Sequence, residues 1–492
     1  MQPSIFVYLS LLVQYVACEQ SYLSVVDHNK DKNASKRPTI KVPLTPETQH
    51  IPLDASQAHL CPPSPRIPTN YSMFVGLSAF RDGIRCGKTI FAAYQRTTNP
   101  NQLYFGVVDQ VYENDTTCIE SYCSLAKVEW RDHECKYRNQ IRIDQRDAAE
   151  SRGPTYARHF QQKLLGDQEF CLQLDAHSIF TRNWDLEIVK EWKSVGNEMA
   201  ILSTYLHNID GHVDKNGSNI MARTAPHLCQ TTRGGSGNVR NVAADLIYNS
   251  KKPQLSALWG AGLSFGKCHA EKRVPIDSHT KWMFDGEEFL RASHLWTHGY
   301  DVYSPSIYGL VVYHNYTRVP ATFFQLKVDG TTKQLETQRA NNRVKYMVGI
   351  PFKGEMDGEE LDIYNWGTVR TFEQYLKFSG LSFKPDTQDQ QSCSQLHWVP
   401  YSNPQPIEDL LPGWSMTPPP KTIALTTTVP LNATTPKLEL KPAMRKERLH
   451  GVDFQSTKPL NSTTFGICLV FGIVVVIFMY FAPKSDDSSK EQ

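Results

Sequence analysis

The sequence predicts an α/β fold with a largely central sheet, followed by a disordered stalk and a C-terminal transmembrane helix. Between about residues 67 and 384, short apolar runs alternate with amphipathic stretches, as they do in α/β domains. Residues 416–436 are dense in Pro and Thr and contain too few large apolar side chains for a core. Residues 465–482 carry no charge, and such a run of 18 residues is about the minimum that crosses a hydrocarbon core of roughly 30 Å.

The α/β domain opens with a predicted strand, helix and strand. Residues 71–77 and 103–108 are rich in side chains that favour strands, and residues 87–96 between them predict a helix. This order is typical of nucleotide-binding domains, although it is a weak signal by itself.

A helix and a strand with polar residues at its end are predicted next. The helix is indicated by large side chains at every fourth position and a glycine suited to a C-cap, namely Tyr156, Phe160, Leu164 and Gly166. Phe170, Leu172 and Leu174 then alternate as one face of a strand. Asp175 and His177 therefore stand at the carboxyl end of this strand, where open α/β sheets bind their ligands.

Composition divides the rest of the chain into further segments. Residues 5–18 are apolar and then turn polar, which is typical of a signal-peptide core, with an uncleaved signal anchor as the alternative. A cleaved signal with the C-terminal helix gives type I topology and a lumenal domain. We expect a signal peptide or anchor at 1–18, a polar linker at 19–66, the α/β domain at 67–385, the stalk at 386–464, the transmembrane helix at 465–482 and a short cytosolic tail at 483–492.

Charge and cysteine content restrict the partners and the compartment. With 52 basic and 50 acidic residues, the chain lacks the basic excess that nucleic-acid binding requires. Nine cysteines lie between the two apolar segments, and in the secretory pathway we expect disulfides with at least one thiol unpaired. A zinc knuckle at Cys118, Cys123 and Cys135 is the weaker alternative, because no fourth ligand is nearby.

Asp175 and His177 are candidate metal ligands. In a regular strand, two residues at this spacing point to the same face, so they could bind one divalent cation. Such a cation would stabilise a diphosphate leaving group. The pattern D-x-H alone is equally compatible with a surface loop.

The segment around this pattern resembles the polypeptide α-N-acetylglucosaminyltransferases of glycosyltransferase family sixty. The family pattern combines GPxxAR before a helix with Q-[IL]-D-[SA]-H-x-x-F and W-D after it. It is matched here by Gly153, Pro154, Ala157, Arg158, Gln173, Asp175, His177, Phe180, Trp184 and Asp185. The resemblance extends over most of residues 71–384, through WGAGLSFGKC, FDGEEFLRASHLWTHGYDVYSP, VVYHNYTR and WGTVRTFEQYLKFSGL.

This resemblance implies a GT-A fold with a Rossmann-like central mixed sheet. It also implies a Mn²⁺-type divalent ion, UDP-GlcNAc as donor, retention of the anomeric configuration and a Ser, Thr or hydroxyproline acceptor on a polypeptide, possibly rich in Thr and Pro. Asp175 and His177 would take the family's metal positions and His314 that of the later ligand, unless His314 is a strand-end histidine bonded to a neighbour. A Golgi membrane is the expected location, with the endoplasmic reticulum and the cell surface as alternatives.

The remaining site candidates surround the donor. Ser78 and Arg81 follow the first strand, and these two residues and Arg158 are candidate nucleotide ligands. Gly260 and Gly262 would let the backbone approach the donor sugar. Three carboxylates occur within four residues, at Asp285, Glu287 and Glu288.

A carboxylate cluster of this kind is usually a solvated face or a helix N-terminus. Here one of them could bond the donor sugar or orient the acceptor hydroxyl, and Glu287 is favoured, with Asp285 as the second candidate.

Two other classes of protein stay open at the level of sequence. A non-catalytic cell-surface binding protein could keep the transferase fold without its activity. A lumenal metallohydrolase would need an open zinc site, and no H-E-x-x-H spacing is present in the sequence.

Overall fold

The computed structural model describes residues 20–26 and 39–417. The chain divides into two units, Met1–Pro420 and Lys421–Gln492, and every described residue belongs to the first. The predicted signal peptide, the transmembrane helix, the tail and stalk residues 418–464 lie outside the described residues. In the part that is described, no helix is both long and apolar enough to cross a membrane.

Strands and helices alternate through the described residues. The strands are β1 Tyr22–Val26, β2 Thr39–Pro43, β3 Met73–Phe80, β4 Leu103–Val111, β5 Ile141–Asp147, β6 Phe170–Asp175, β7 Ser178–Phe180, β8 Ala200–Ser203, β9 Thr224–Leu228, β10 Thr231–Arg233, β11 Val239–Asn241, β12 Ala244–Tyr248, β13 Gln254–Ser256, β14 Leu263–Lys267, β15 Asp301–Ser304 and β16 Val312–His314. The α-helices are α1 Gly83–Arg96, α2 Cys118–Glu129, α3 Pro154–Gln162, α4 Trp184–Val195, α5 His269–Arg273, α6 Glu287–Thr297, α7 Gly330–Met347, α8 Phe372–Ser379 and α9 Gln405–Leu410.

A mixed eight-stranded sheet forms the centre of the fold, with strand order β13-β15-β8-β14-β6-β3-β4-β5. β3 pairs in parallel with both β4 and β6, whereas β14 runs antiparallel between β6 and β8. The apolar side chains of these strands are buried beneath helices, which explains their nearly continuous apolar sequences. The predicted mixed α/β fold is thus confirmed.

Helix α1 begins four residues before the predicted start at residue 87. Gly83 and Gly87 argue against a helix by propensity, but both are helical because α2 packs closely there. A Cβ at Gly83 would lie 2.0 Å from the Thr116 carbonyl oxygen, and one at Gly87 would lie 2.4 Å from the Ser121 side chain. The glycines therefore permit the helix contact.

The helix before the metal-motif strand differs from the prediction in its end and its buried face. Helix α3 ends at Gln162 with Lys163 as its C-cap, so Gly166 is not the cap. Its buried face contains Ala157, Arg158 and Gln161, whereas Tyr156 and Phe160 contact each other on the other side and are only partly buried. The spacing of the large aromatic residues predicted the wrong buried face, because this helix buries polar side chains on the side of the cleft.

The prediction of a polar linker at 19–66 is wrong, because the segment contains strands of a second sheet. Strand β1 pairs antiparallel with β2 and with β12, and together with β9 these strands form a second, four-stranded sheet. Leu23 and Leu44 are buried against Ile247 in a small core. The segment is polar on average, so its few apolar residues did not predict a strand. Their partner strand, β12, lies far along the chain.

The predicted stalk also begins too early. Residues 386–417 pack on the domain, and Trp398, Tyr401 and Ile407 are buried in an apolar cluster there. A disulfide from Cys393 to Cys229 holds the start of this segment. Of the predicted stalk, the Pro/Thr-rich part beyond residue 417 lies outside the described residues.

Cysteine pairing confirms the disulfide prediction. Four disulfides join Cys86 to Cys118, Cys123 to Cys135, Cys171 to Cys268 and Cys229 to Cys393. Cys61 is exposed and is the free cysteine among the described residues. The zinc-knuckle alternative is wrong, because its three cysteines are all oxidised in these bridges.

Candidate active site

A cleft of about 630 Å³ opens at the carboxyl ends of strands β3, β4 and β6. Eight of the ten predicted site residues line this cleft, namely Ser78, Arg158, Asp175, His177, Gly262, Asp285, Glu287 and His314. The other two, Arg81 and Gly260, lie outside it. The sheet therefore brings together most residues that the sequence singled out.

Strand pairing explains how the three candidate metal ligands meet. Asp175 is the last residue of β6, and His177 follows immediately before β7. Strand β7 pairs antiparallel with β16 in a register that places His314 opposite Ser178. The Asn315 backbone N–H also donates to the His177 carbonyl oxygen at 3.0 Å.

The three side chains form a compact cluster of one carboxylate and two imidazoles. One candidate ligand atom from each lies within 4.8 Å of the others, and His314 Nε2 is 3.3 Å from Asp175 Oδ2. His314 Nδ1 is buried and has no hydrogen-bond partner among the described residues. The nitrogen that faces the Asp175 carboxylate is Nε2, and a carboxylate with two imidazoles at this spacing is a donor set that fits a divalent first-row cation.

The Asp175 carboxylate is ionised by its surroundings. Burial alone would raise its pKa, but the hydrogen bond with His314 and the charges of Arg158 and the two imidazoles lower the pKa of Asp175 to about 2. The side chain is still 31% exposed to the cleft. It therefore presents a permanent negative charge to a cation.

Asp82, which the sequence analysis did not single out, supports the cluster from behind. Asp82 Oδ2 lies 3.3 Å from His177 Nδ1, and Arg85 Nε donates to both Asp82 oxygens at 2.8 and 2.9 Å. Burial opposes ionisation, but these two contacts outweigh it and lower the pKa of Asp82. A carboxylate in this place fixes the orientation of a metal-ligating imidazole. The sequence signals were its position just after the first strand and its place at the end of FVGLSAFRD, residues 74–82, with which the family resemblance begins.

Arg158 lies in the cleft but is already paired. Its buried guanidinium forms an ion pair with Glu287 and contacts Asp175 Oδ1 at 3.3 Å. The charge expected for phosphate binding is thus shared between two carboxylates. Arg158 links the candidate metal ligand to the N-terminus of α6.

In the carboxylate cluster, Glu287 is buried, whereas Glu288 and Asp285 are partly buried. Burial raises the pKa of Glu287, although Arg158 opposes the shift. Burial also raises the pKa of Glu288 to about 7, despite its hydrogen bonds from the Tyr205 hydroxyl at 2.6 Å and the Ala261 N–H at 2.9 Å. Asp285 is more exposed and faces Arg240 at 3.7 Å.

The interpretation of the cluster as a solvated face is therefore wrong for Glu287 and Glu288. The interpretation as a helix N-terminus is correct, because α6 begins at Glu287. Glu288 also lines the cleft, although the sequence analysis favoured Glu287 and Asp285, because the alternation of adjacent side chains on a helix gave no sign that both glutamates reach it.

The two glycines have different roles. A Cβ at Gly262 would lie 3.9 Å from Asp175 Oδ2, so this glycine borders the metal cluster. A Cβ at Gly260 would lie 2.8 Å from Leu228 Cδ1 and 3.1 Å from the Thr204 backbone. Gly260 is therefore needed for close packing behind the cleft, and its expected contact with the donor stays a prediction.

Of the two candidate nucleotide ligands after the first strand, Ser78 lines the cleft and Arg81 does not. Ser78 pairs in register with Asp175 at the end of β3, and its hydroxyl donates to Gln161 Oε1 at 2.8 Å. The Arg81 guanidinium binds both oxygens of Asp115 at 2.7 and 2.9 Å. The nucleotide contact expected for Arg81 stays a prediction.

Comparison with known proteins places this domain in the class of glycosyltransferases. A family model described as Glycosyltransferase (GlcNAc) matches residues 72–129 and 123–385, which is more than half of the chain. The chain therefore belongs to this family. No curated protein sequence matched the chain.

Solved glycosyltransferase structures that are similar to this chain have low sequence identity and TM-scores below 0.5. GalNAc-T7 with UDP, GalNAc and Mn²⁺ is 14% identical, with a TM-score of 0.40 over 63% of this chain and 57% of that one. The chain thus spans just over half of GalNAc-T7. TarS 1–349 from S. aureus with UDP-GlcNAc is 11% identical, with a TM-score of 0.32 over 57% of this chain and 68% of that one. The mannosyltransferase PcManGT from Pyrobaculum calidifontis, with GDP-Man and Mn²⁺, is 11% identical, with a TM-score of 0.30 over 62% and 70%.

Proposed function

We propose that the chain transfers GlcNAc from UDP-GlcNAc to a Ser, Thr or hydroxyproline hydroxyl of a polypeptide, with retention of the anomeric configuration. The observation that carries this proposal is the meeting of Asp175, His177 and His314 in a cleft of a GlcNAc-type glycosyltransferase domain. The motif resemblance to family sixty supports the polypeptide acceptor and the retaining outcome.

Asp175, His177 and His314 would hold a Mn²⁺ ion or a similar divalent cation. When bound, such an ion stabilises the negative charge of the UDP leaving group. The chain's own groups prepare this site in two ways: the low pKa of Asp175 keeps it ionised, and Asp82 holds the His177 ring.

The other cleft residues would bind and orient the two substrates. Arg158 pairs with both Glu287 and Asp175 and would thereby fix the position of the acceptor-side carboxylate, Glu287, relative to the metal ligand, Asp175. Glu287 or the neighbouring Asp285 would accept a hydrogen bond from a sugar or acceptor hydroxyl. In the front-face route implied by the resemblance, the departing phosphate helps to take the acceptor proton.

The proposed location is a membrane of the secretory pathway, with the Golgi as the first choice and the domain in the lumen. Four disulfides in the described residues support an oxidising compartment. Residues 465–482 would provide the membrane anchor.

The test is transfer by the full chain, purified in detergent with Mn²⁺, from a panel of UDP-sugars to a Thr/Pro-rich peptide. We expect an α-linked GlcNAc on the peptide by mass spectrometry and NMR, with transfer reduced at least about a hundredfold in Asp175→Asn. Tyr346→Ala, at an exposed ring outside the cleft, serves as the neutral control. Folded protein that binds UDP-GlcNAc and Mn²⁺ but transfers no sugar would instead identify a non-catalytic binding protein.

A further inference from the structure

Three phenylalanines form an aromatic lip at the mouth of the cleft: Phe284, Phe323 and Phe324. The Phe284 and Phe324 rings meet edge to face with centroids 5.7 Å apart, and the Phe323 and Phe324 centroids are 4.0 Å apart. Two separate segments supply these rings, one just before α6 and one in the 3-10 turn Phe323–Gln325. The lip is therefore built by the fold and not by a single apolar stretch.

The lip is exposed and also anchored. Phe284 and Phe324 are each 55% exposed, a large value for aromatic side chains beside a buried site. Phe323 is fixed from below, where its ring stacks on Trp282 at 6.4 Å and would lie 3.3 Å from a Cβ at Gly153. Exposed apolar surface that is held in place at the rim of a cleft marks a binding surface.

The lip lies in the same cleft as the metal cluster but differs from it in chemistry. Asp82, Asp175 and His177 line the charged part, which suits a nucleotide diphosphate. Around the lip, Val319 and Ala321 add further apolar side chains to the lining. A charged donor gains little from this surface, whereas an apolar group of the acceptor gains by burying it.

We propose that the aromatic lip binds the acceptor polypeptide as an extended segment, with prolines that flank the acceptor hydroxyl packed on the rings of Phe284 and Phe324. This inference rests on the proposed function and names its acceptor class more closely. Proline-rich segments are preformed as polyproline II helices, so they lose little conformational freedom when they dock on aromatic grooves. The continuity of the lip with the metal cluster keeps the acceptor hydroxyl within the same cleft.

The test uses two fluorescent peptides and the full chain in detergent with Mn²⁺ and UDP. One peptide has the sequence of residues 416–436, MTPPPKTIALTTTVPLNATTP, and the other has every proline replaced by alanine. We expect Phe284→Ala and Phe324→Ala each to weaken binding of the first peptide about tenfold, as truncation of a contact aromatic does. Tyr346→Ala, an equally exposed ring outside the cleft, should leave binding unchanged.

A double-mutant cycle, which combines the lip substitutions with the proline-to-alanine peptide, distinguishes proline recognition from nonspecific hydrophobic binding. The proline-to-alanine peptide should bind wild type weakly, and it should lose little further affinity in the lip variants, because the same contact has already been removed. Equal weakening of both peptides, or unchanged affinity for the first peptide in both lip variants, would overturn the inference.

Donor turnover distinguishes failure of the inference from failure of the proposed function. Hydrolysis of UDP-GlcNAc without peptide should be unchanged in Tyr346→Ala and should fall by less than the peptide affinity does in both lip variants. A lip that binds UDP in place of the peptide would reduce this turnover as strongly as the peptide affinity and overturn the inference. Absence of GlcNAc transfer from UDP-GlcNAc to the first peptide in wild type would overturn the proposed transferase activity, while the peptide-binding cycle would still test peptide binding by the lip.

Discussion

Asp175 Oδ2 and His314 Nε2 lie 3.3 Å apart, although Asp175 ends a strand of the central sheet and His314 ends β16, far along the chain. The short pairing of β7 with β16 creates this contact. Because the same strand pair also positions His177, one local structure sets the geometry of all three candidate ligands.

Asp82→Asn should raise the Mn²⁺ concentration needed for half-maximal UDP release by about 10 to 100-fold, because His177 loses the carboxylate that orients it. The measurement is a Mn²⁺ titration of UDP release from UDP-GlcNAc. Asp115→Asn is the matched control, since Asp115 holds Arg81 outside the cleft. An unchanged Mn²⁺ requirement in Asp82→Asn would show that Asp82 does not support the site.

Arg158→Leu should destabilise the protein by about 3 to 5 kcal/mol, because it leaves Glu287 and Asp175 without their buried partner. Without the arginine, the pKa of buried Glu287 rises further above its unfolded value of 4.5. A group with a raised folded pKa stabilises the fold below its unfolded pKa and loses this stability as pH rises. The deficit should therefore grow from pH 5 to pH 8.

Chemical denaturation at both pH values measures this effect. The double variant Arg158→Leu/Glu287→Leu should recover part of the lost stability, since it removes one uncompensated carboxylate along with the guanidinium. A double variant that is less stable than Arg158→Leu would contradict this account of the pair.

Glu288→Gln should flatten the pH dependence of stability between about pH 4.5 and pH 7. Burial raises the pKa of Glu288 from 4.5 to about 7, so the folded protein keeps this proton more tightly than the unfolded chain does. The resulting stability is complete below pH 4.5 and is lost as pH rises through 7. Thermal melts across this range compare the variant with wild type, and identical slopes would argue against a buried, proton-holding Glu288.

Cys393→Ser should lower the melting temperature by several degrees, because the disulfide with Cys229 ties residues 386–417 to the domain. Removal of such a bridge costs roughly 2–5 kcal/mol. Cys61→Ser is the matched control, since this cysteine forms no bridge among the described residues. Equal effects of the two substitutions would indicate that the segment is held by its apolar contacts alone.

The sequence predicts the local parts of the site well. β6 and its terminal Asp175 follow from an alternating apolar strand, because strand periodicity and the position of a strand end are both local properties. His314 was identified only through the family resemblance, since its place depends on the register of two short strands. Contacts of this kind leave no periodic signal.

Partners far apart in the sequence explain the errors. Arg158 suggested a free phosphate ligand until the fold placed Glu287 against it, 129 residues away. Strand β1 was hidden in a polar segment because its pairing strand, β12, contributes the matching apolar side chains. Arg81 is paired with Asp115, a residue 34 positions further along the chain, and strand periodicity does not reveal such a partner.

Direct Mn²⁺ binding tests the central claim. Electron paramagnetic resonance of the full chain with UDP should show one bound Mn²⁺ whose affinity falls in Asp175→Asn, His177→Ala and His314→Ala. The affinity should stay unchanged in His133→Ala, at an exposed ring outside the cleft. Folded protein that binds Mn²⁺ equally well in wild type and in the three cluster variants would contradict the assignment of this cluster as the metal site.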